Sequence, residues 1–305
     1  MSDERSECRM TLLQQLSGAG IPLLPQEPMS RRTTFGIGGP ALLIRPQNRE
    51  QLQTAVALCR GAGQPPFILG RGSNLLVSDA GIARPVIQLG EGLSAVVRQG
   101  DTLRCGAGAA LISVCLQAAR AGLSGLEWAY GIPGSLGGGV YMNAGAYGGE
   151  MKDVVAEVTY LDENGDFCTA SGEALQFGYR RSVFQQRECC IVEAVLALAP
   201  GRESEIRAAM EDYMNRRREK QPLEYGSAGS TFKRPAGNYA SALVDRCGLK
   251  GLAVGGAEVS QKHAGFIINR GGATAAEVLQ LIAEVQRTVR EKTGYELECE
   301  VKYVE

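Results

Sequence analysis

The sequence GIPGSLGGGVYMNAGAYGG at residues 131–149 contains eight glycines among nineteen residues. A glycine inside regular structure costs about 0.5–1 kcal/mol relative to alanine, so a cluster of this density needs a physical reason. One reason is a backbone that must lie directly against another backbone or against a large, flat ligand. Asn143 is the strong polar side chain of the stretch. A tightly packed turn in the protein core is the alternative, and the residues alone leave it open.

A second glycine-rich segment, GRGSNLLVSDAG at residues 70–81, follows a predicted buried strand. Gly70 and Gly72 permit positive φ, so successive backbone N–H groups can converge on an anion, and Ser73 and Asn74 add side-chain donors. A phosphate or pyrophosphate is the natural ligand of such a loop. An ordinary strand-turn-strand is equally compatible with the residues. The segment lacks the third glycine of the dinucleotide-binding fingerprint, and the chain contains no P-loop motif.

The composition is that of a globular protein without a strong charge bias. The 305 residues exceed a typical single domain, which predicts two domains or one large fold. Lys and Arg number 32 against 33 Asp and Glu, and the formal net charge is -1. This balance argues against nucleic acid or an anionic membrane surface as a partner.

The N-terminal sequence MSDERSECRM has mixed charges and no apolar core, so we expect neither a signal peptide nor a membrane span. Nine cysteines without a CxxC pair, and a single histidine, predict no metal site. An odd number of cysteines without a secretion signal is typical of reduced thiols and a cytoplasmic location.

The hydrophobic and capping patterns predict alternating helices and strands. Val278, Ile282, Val285 and Val289 form an apolar stripe on the last helix. The expected elements are a helix at 7–18, a helix at 49–60 capped by Asn48, a strand at 65–70, a hairpin about Asn164-Gly165, a charged helix at 202–220, a helix from the Thr274/Glu277 capping box to Gly294, and an alternating strand at 295–305. Pro200-Gly201 is the predicted domain boundary.

Two polar motifs stand outside the glycine-rich segments. In FGYRRSVF, residues 177–184, two adjacent arginines on a strand point to opposite faces, so at most one enters a given site. In YGSAGSTFKRP, residues 225–235, Ser227 and Ser230 are not distinguished by composition. With His263 as the one histidine, a Ser-His nucleophile is disfavoured, whereas a serine that donates a proton needs no triad. We expect His263 to be structural.

Seven motifs in one order resemble a single family, the UDP-N-acetylenolpyruvoylglucosamine reductases (UDP-N-acetylmuramate dehydrogenases, MurB). The motifs are TTFGIGGPA, LGRGSNLLVSDAG, GIPGSLGGGVYMNAGAYG, FGYRRSVF, GSAGSTFKRP, KHAGFIIN and LECEV. The resemblance runs from about Thr33 to Val301. It implies an α+β fold, with a two-lobed FAD-binding domain of the vanillyl-alcohol-oxidase type over 1–200 (lobes about 20–85 and 86–200) and a C-terminal α+β substrate domain over 201–305.

The resemblance also implies the chemistry. NADPH reduces bound FAD, a hydride passes from flavin N5 to the enolpyruvyl group of UDP-N-acetylglucosamine enolpyruvate, and a proton completes UDP-N-acetylmuramate. The implied catalytic residues are Arg180, Ser230 and Glu300. A cation at Arg180 is also what a developing enolate requires. The choice of Glu300 over Glu298 depends on the motif alone, because both lie on one face of the predicted strand.

The implied ligand contacts follow from the same motifs. The cofactor-binding residues are Gly70, Arg71, Gly72, Ser73, Asn74, Leu75, Gly131, Ile132, Pro133, Gly134, Gly138, Asn143, Gly145 and Ala146. The substrate-binding residues are Arg180, Lys220, Lys233 and Arg234. The 49 residues between Arg180 and Ser230 resemble the subgroup that lacks an inserted tyrosine-bearing loop.

Two other functions remain open on the residues. One is a flavoprotein of the same fold that oxidises small alcohols, and the other is a nucleotide-sugar binding protein without catalysis. For all three we expect small-molecule partners, no nucleic acid, and a monomer in the cytoplasm.

Overall fold

The computed structural model describes residues 11–305, which form two compact units interleaved along the sequence. Within the described residues, unit 1 comprises 11–25, Leu42–Arg71 and Arg84–Asn215. Unit 2 comprises Gln26–Ala41, Gly72–Ala83 and Arg216–Glu305. The predicted domain boundary at residue 200 stays a prediction. In the structure, the last segment of unit 1 ends at Asn215, and the last segment of unit 2 begins at Arg216.

The order of elements alternates between short strands and helices. The helices are α1 at residues 11–18, α2 Arg49–Gly61, α3 Leu111–Arg120, α4 Leu136–Tyr141, α5 Glu203–Lys220, α6 Ala240–Arg246 and α7 Ala275–Thr293. Single 3-10 turns lie at Met29–Arg31, Glu91–Leu93, Glu127–Ala129, Met151–Asp153, Gly172–Leu175 and Val183–Gln186. The part of the predicted first helix before residue 11 lies outside the described residues.

The strands are short. They are β1 Leu23–Pro28, β2 Pro40–Ile44, β3 Phe67–Leu69, β4 Leu75–Val77, β5 Val86–Gln88, β6 Val96–Gln99, β7 Thr102–Gly106, β8 Leu123–Ser124, β9 Gly145–Ala146, β10 Gly149–Glu150, β11 Val155–Leu161, β12 Phe167–Ser171, β13 Cys190–Ala197, β14 Ala199–Pro200, β15 Ala253–Val254, β16 Ala257–Val259, β17 Ile267–Asn269 and β18 Lys302–Val304.

Unit 1 is built around two sheets. The first has the order β1-β2-β5-β3, with β5 parallel to both β2 and β3, and α2 begins beside it where Asn48 accepts a hydrogen bond from Gln51 N at 2.8 Å. The second is antiparallel, in the order β12-β11-β13-β7-β6. Its β11–β12 hairpin turns at Gly165, which has a φ of +88°, as the Asn-Gly pair predicts. The predicted α+β class is therefore confirmed.

Unit 2 combines the antiparallel sheet β15-β16-β17 with α6 and α7. The predicted capping box is present, because the Thr274 hydroxyl accepts from Glu277 N and the Glu277 carboxylate accepts from Thr274 N. The predicted apolar stripe of α7 is buried, and Gly294 ends the helix in the left-handed conformation with a φ of +74°. The sequence patterns thus located both ends of α7.

A second cap joins α7 to a distant segment of the same unit. The Asp79 carboxylate accepts hydrogen bonds from Ala275 N at 2.8 Å and Ala276 N at 3.1 Å. A negative charge at this position also interacts favourably with the helix dipole. A Cβ added to Gly39 would lie 2.2 Å from the Asp79 carbonyl oxygen, so glycine is required there. Asp79, the aspartate of the 70–81 motif, therefore has a structural contact that its sequence did not predict.

The predicted continuous strand at 295–305 is wrong, because the chain changes partner along it. Cys299 pairs antiparallel with Phe232, whereas β18 pairs in parallel with β4. Leu297 and Val301 are buried at even spacing, but Val304 is buried and Tyr303 is exposed. The alternation of buried and exposed residues therefore shifts by one residue between Val301 and Val304.

Eight cysteines lie among the described residues, and all are free thiols. Burial raises the pKa of four of these thiols to about 12, namely those of Cys59, Cys105, Cys115 and Cys190. Because the thiolate is the reactive form, these four are chemically inert at neutral pH.

Replacing Asp79 by alanine removes two charge-assisted hydrogen bonds at the start of α7. We expect Asp79→Ala to lower the free energy of unfolding by about 1–2 kcal/mol, in the range of a lost helix cap. Urea denaturation followed by circular dichroism measures the change. Asp79→Asn, which keeps one acceptor oxygen, should lose less. Equal stability of the alanine variant and the unaltered protein would show that the contact contributes nothing.

The four buried thiols generate a second prediction. At pH 8 a shift in pKa from 9 to 12 lowers the thiolate fraction about a thousandfold. In the native protein we expect alkylation mapped by mass spectrometry to leave these four unlabelled while a free model thiol is fully labelled. Denaturation should expose all four. Rapid labelling of Cys190 in the native protein would contradict its burial.

Candidate active site

The glycine-rich stretch of unit 1 contains a helix rather than an open loop. Helix α4 begins after Ser135, whose hydroxyl accepts a hydrogen bond from Gly138 N at 3.2 Å. A Cβ on Gly137 would lie 2.9 Å from Ala107 Cβ, and one on Gly139 would lie 3.3 Å from a Leu111 methyl carbon. The glycines on this side of α4 are therefore needed for close packing, which is the alternative that the sequence left open.

The end of the stretch is a tight hairpin. Strands β9 and β10 pair antiparallel across Tyr147 and Gly148, which have φ values of +53° and +92°. A Cβ on Gly149 would lie 2.3 Å from Trp128 Cδ1, and one on Gly145 would lie 2.8 Å from Gly149 O. The predicted cofactor residues Gly145 and Ala146 thus lie on a strand whose shape depends on glycine.

The two glycine-rich segments meet inside unit 1. A Cβ on Gly70 would lie 2.5 Å from Ser135 Oγ, so the start of the 70–81 segment contacts the start of α4. Gly138 is exposed, and a Cβ there would meet only Ser135 Oγ, at 3.2 Å. Glycine backbone that carries no side chain lets a ligand approach closely, and a neighbouring hydroxyl group can donate a hydrogen bond to its phosphate groups. The residues present therefore fit the FAD that the resemblance implies.

Asn143 has a structural role in the same region. Its side chain is fully buried, donates to Glu150 Oε2 at 2.6 Å and Gly178 O at 2.9 Å, and accepts from Lys152 N at 2.9 Å. The contact of Asn143 with a cofactor stays a prediction, and its amide hydrogens are directed at protein oxygens.

Arg180 lies in a turn, so the prediction that the arginine pair occupies a strand is wrong. Gly178 and Arg181 exchange both backbone hydrogen bonds at 3.0 Å, which leaves Tyr179 and Arg180 as the two turn residues. Arg180 has a φ of +54°, a conformation that non-glycine residues rarely adopt. Its Nη2 lies 3.4 Å from Gly145 O, so the guanidinium lies against the glycine-rich stretch.

In unit 2, Thr231 joins Ser230 to the segment that carries Glu300. Thr231 O accepts from Glu300 N at 2.9 Å, and Thr231 N donates to Gly265 O at 2.8 Å. The buried Thr231 hydroxyl accepts from Ile267 N at 3.0 Å. Ser230 itself is exposed. The backbone therefore brings the two predicted catalytic residues into adjacent positions, with the serine accessible.

The contacts in the structure distinguish Glu298 from Glu300, whereas the sequence pattern did not. Lys233 N donates to Glu298 O at 2.8 Å, and Lys233 Nζ lies 2.5 Å from Glu298 Oε1. The Glu298 side chain is 73% exposed, whereas Glu300 is half-buried. Glu298 therefore pairs with a lysine at the surface.

The 70–81 segment reaches the same place in unit 2. Asn74 Nδ2 donates to Glu300 O at 3.1 Å, and Asn74 O accepts from Lys302 N at 3.0 Å. Gly72 has a φ of +62°, and a Cβ there would lie 2.2 Å from Arg32 O. Unit 2 thus collects the predicted cofactor residue Asn74 and the predicted catalytic residues Ser230 and Glu300 around one strand pair.

The remaining predicted residues are less closely grouped. Lys220 is the exposed last residue of α5, and the Arg234 guanidinium lies 4.5 Å from the centre of the Tyr239 ring. His263 Nδ1 accepts a hydrogen bond from Gly265 N at 3.1 Å, and burial lowers its pKa. A lowered pKa keeps the imidazole neutral at pH 7, which suits this acceptor role.

Sequence reasoning missed the residues that hold the candidate catalytic groups. Thr231 lies within the 225–235 motif and Gln185 directly follows the 177–184 motif, and their polar character was the one signal in the sequence. Among residues 11–305, no three His, Cys, Asp or Glu side chains are grouped to hold a metal ion. Over the same residues, no helix is both long enough and apolar enough to cross a bilayer.

Comparisons with known proteins identify the family of the chain. Residues 221–304 match the family model "UDP-N-acetylenolpyruvoylglucosamine reductase, C-terminal domain", and residues 40–171 match "FAD binding domain". The crystal structure of the UDP-N-acetylenolpyruvylglucosamine reductase of Thermus caldophilus superposes with a TM-score of 0.82 at 38% identity, covering 93% of this chain and 100% of that one.

Similar sequences carry the same description. The UDP-N-acetylenolpyruvoylglucosamine reductase of Syntrophomonas wolfei is 50% identical over 279 residues, which are 91% of this chain and 93% of the relative. That of Caldanaerobacter subterraneus is 49% identical over 279 residues, with 91% and 92% covered. The predicted order of an FAD-binding domain and a C-terminal domain is confirmed. The chain therefore belongs to the UDP-N-acetylenolpyruvoylglucosamine reductase family of FAD-dependent oxidoreductases.

Proposed function

We propose that this protein reduces UDP-N-acetylglucosamine enolpyruvate to UDP-N-acetylmuramate, with NADPH as the source of electrons. The observation that carries the proposal is the backbone pairing between Thr231 and Glu300, which sets an exposed serine beside a half-buried glutamate. Family membership supplies the substrate class. The contacts within unit 2 supply a reason why these two residues act on one substrate group.

The segments at 70–75 and 131–146 would hold FAD, which would provide hydride chemistry at the methylene carbon of the enolpyruvyl group. The negative charge that develops on the neighbouring carbon and carboxylate requires a cation and a proton donor. We assign the first role to Arg180, because a planar guanidinium cation can stabilise a developing carboxylate or enolate charge through two hydrogen bonds. We assign the second to Ser230, whose hydroxyl can protonate a strongly basic carbanion without a histidine.

Glu300 provides a hydrogen-bonding carboxyl beside the proton donor. Its N–H and C=O are both held by the protein, through Thr231 and Asn74. This double attachment limits the movement of the Glu300 backbone and so favours one position for its side chain. We therefore include Glu300 in the catalytic group and leave Glu298 outside it.

The cationic residues near the motif are proposed substrate contacts. An ion pair as exposed as that of Lys233 and Glu298 contributes about 0–1 kcal/mol, so a substrate anion can displace the carboxylate at small cost. Lys220 and Arg234 offer further positive charge for the substrate diphosphate or carboxylate. The segments at 70–75 and 131–146 are the proposed FAD contacts.

Two alternatives predict different half-reactions. A sugar-nucleotide binding protein would bind the substrate unchanged, and an alcohol oxidase would return electrons to oxygen. Mixing the FAD-loaded protein with NADPH and then with the enolpyruvyl substrate separates the three. Flavin absorbance that falls with NADPH and returns only with that substrate, with UDP-N-acetylmuramate as product, supports the proposal.

The reaction has two halves, reduction of the flavin by NADPH and reduction of the enolpyruvyl substrate. Loss of the Ser230 hydroxyl should slow only the second. We expect Ser230→Ala to slow substrate reduction by about 10²–10⁴-fold, as removal of a general acid does, while NADPH reduces the flavin at a nearly unchanged rate. Stopped-flow absorbance measures both steps.

Ser227 provides the matched control for this prediction. Its described contacts use the backbone only, with Ser227 N donating to Thr34 O and Ser227 O accepting from the Thr34 hydroxyl. We expect Ser227→Ala to leave both rates nearly unchanged. If Ser230→Ala slowed the two half-reactions equally, Ser230 would not be the proton donor.

The two glutamates of the last motif give a second matched pair. We expect Glu300→Gln to lower kcat for substrate reduction about a hundredfold or more, comparable with loss of a positioned catalytic group. Glu298→Gln, which weakens an exposed ion pair, should change kcat by less than about threefold. Steady-state kinetics with the enolpyruvyl substrate compares them. The reverse order of effects would transfer the catalytic assignment to Glu298.

A further inference from the structure

The turn that carries Arg180 is held at two of its carbonyl oxygens by side-chain amides. Gly178 O accepts from Asn143 Nδ2 at 2.9 Å, and Arg180 O accepts from Gln185 Nε2 at 3.0 Å. A left-handed non-glycine residue persists only where its surroundings hold it. The two amides therefore hold the conformation of Arg180 from both ends of the turn.

Each amide is itself fixed to the glycine-rich stretch. Gln185 Nε2 also donates to Tyr141 O at 2.8 Å, at the last residue of α4. The buried Ser182 hydroxyl donates to the same oxygen at 2.7 Å. On the other side, Asn143 is held by Glu150 and Lys152. The turn is thus connected by side-chain hydrogen bonds to the segment that fits FAD.

We propose that Gln185 is a positioning residue for the reduction, and that it acts by fixing the backbone of Arg180 so that the guanidinium stays against the glycine-rich stretch. Asn143 holds the other end of the same turn. This proposal rests on the catalytic role proposed for Arg180. A displacement of a reacting or charge-stabilising group by about 1 Å can lower the rate about a hundredfold. Loss of the hydrogen bond from one of these two amides should therefore be measurable.

The main test uses Gln185→Met, which keeps the unbranched shape and removes both donors. We expect substrate reduction by the dithionite-reduced, FAD-loaded enzyme to slow about tenfold or more, with the KM for the enolpyruvyl substrate changed less than kcat. FAD content and melting temperature should stay near those of the unaltered protein. Gln186→Met, at the exposed neighbouring glutamine, is the control and should be silent.

A double-mutant cycle separates positioning from general loss of structure. If Gln185 acts through the Arg180 guanidinium, Gln185→Met should cost nothing further in an Arg180→Ala background. An equal cost in both backgrounds would overturn the proposal. If Arg180→Ala alone leaves substrate reduction unchanged, the proposed role of Arg180 fails, and this outcome is recognised before Gln185 is altered.

Gln185→Glu gives a pH-dependent readout. An ionised carboxylate cannot donate to the Arg180 carbonyl, whereas a protonated one can donate once. Relative to the unaltered enzyme, we expect the rate of Gln185→Glu to recover as the pH falls towards 5. A crystal structure of Gln185→Met provides the measurement independent of activity. Arg180 should leave its positive φ or its guanidinium should move from Gly145 O, and an unchanged turn would contradict the proposal.

Discussion

The parallel pairing of β4 with β18 is the constraint on which unit 2 depends. It joins Leu75 to Lys302, so that a segment from the first quarter of the chain lies beside the last strand. The Asn74 side chain and backbone then hold both sides of Val301, through Glu300 O and Lys302 N. Asp79, further along the same segment, caps α7. The residues on either side of this short strand thus hold the backbone of the candidate catalytic glutamate and the start of the longest helix of the unit.

The candidate catalytic groups of unit 2 are positioned by backbone pairing. Thr231 uses its N–H, its carbonyl and its hydroxyl on protein partners, which leaves the preceding serine exposed on a fixed support. A hydroxyl that donates its own proton needs no adjacent base, so what this support contributes is a fixed backbone position. In unit 1 the candidate catalytic residue is positioned by side chains instead. Side-chain amides of neighbouring residues hold Arg180 in an unfavourable backbone conformation.

Glycine serves two purposes in the segments that fit FAD. At Gly137, Gly139 and Gly149 it lets protein backbone pack directly against Ala107, Leu111 and Trp128. At Gly138 it leaves exposed backbone without a side chain. The packing interpretation of the glycine-rich stretch is therefore correct for these three residues, whereas contact of Gly138 with a ligand stays a prediction.

The sequence by itself determined the elements whose signals are local: the Asn48 cap of α2, the Asn164-Gly165 hairpin and both ends of α7. It also determined the family, through seven motifs in order. The tertiary structure alone decided which of the two glutamates of the last motif pairs with Lys233, and that Asn143 and Asp79 hold protein groups. It also decided that the chain changes its pairing partner between Cys299 and β18, and that Arg180 occupies a turn. These features depend on contacts between residues far apart in the chain, and neither periodicity nor capping patterns carry information about such contacts.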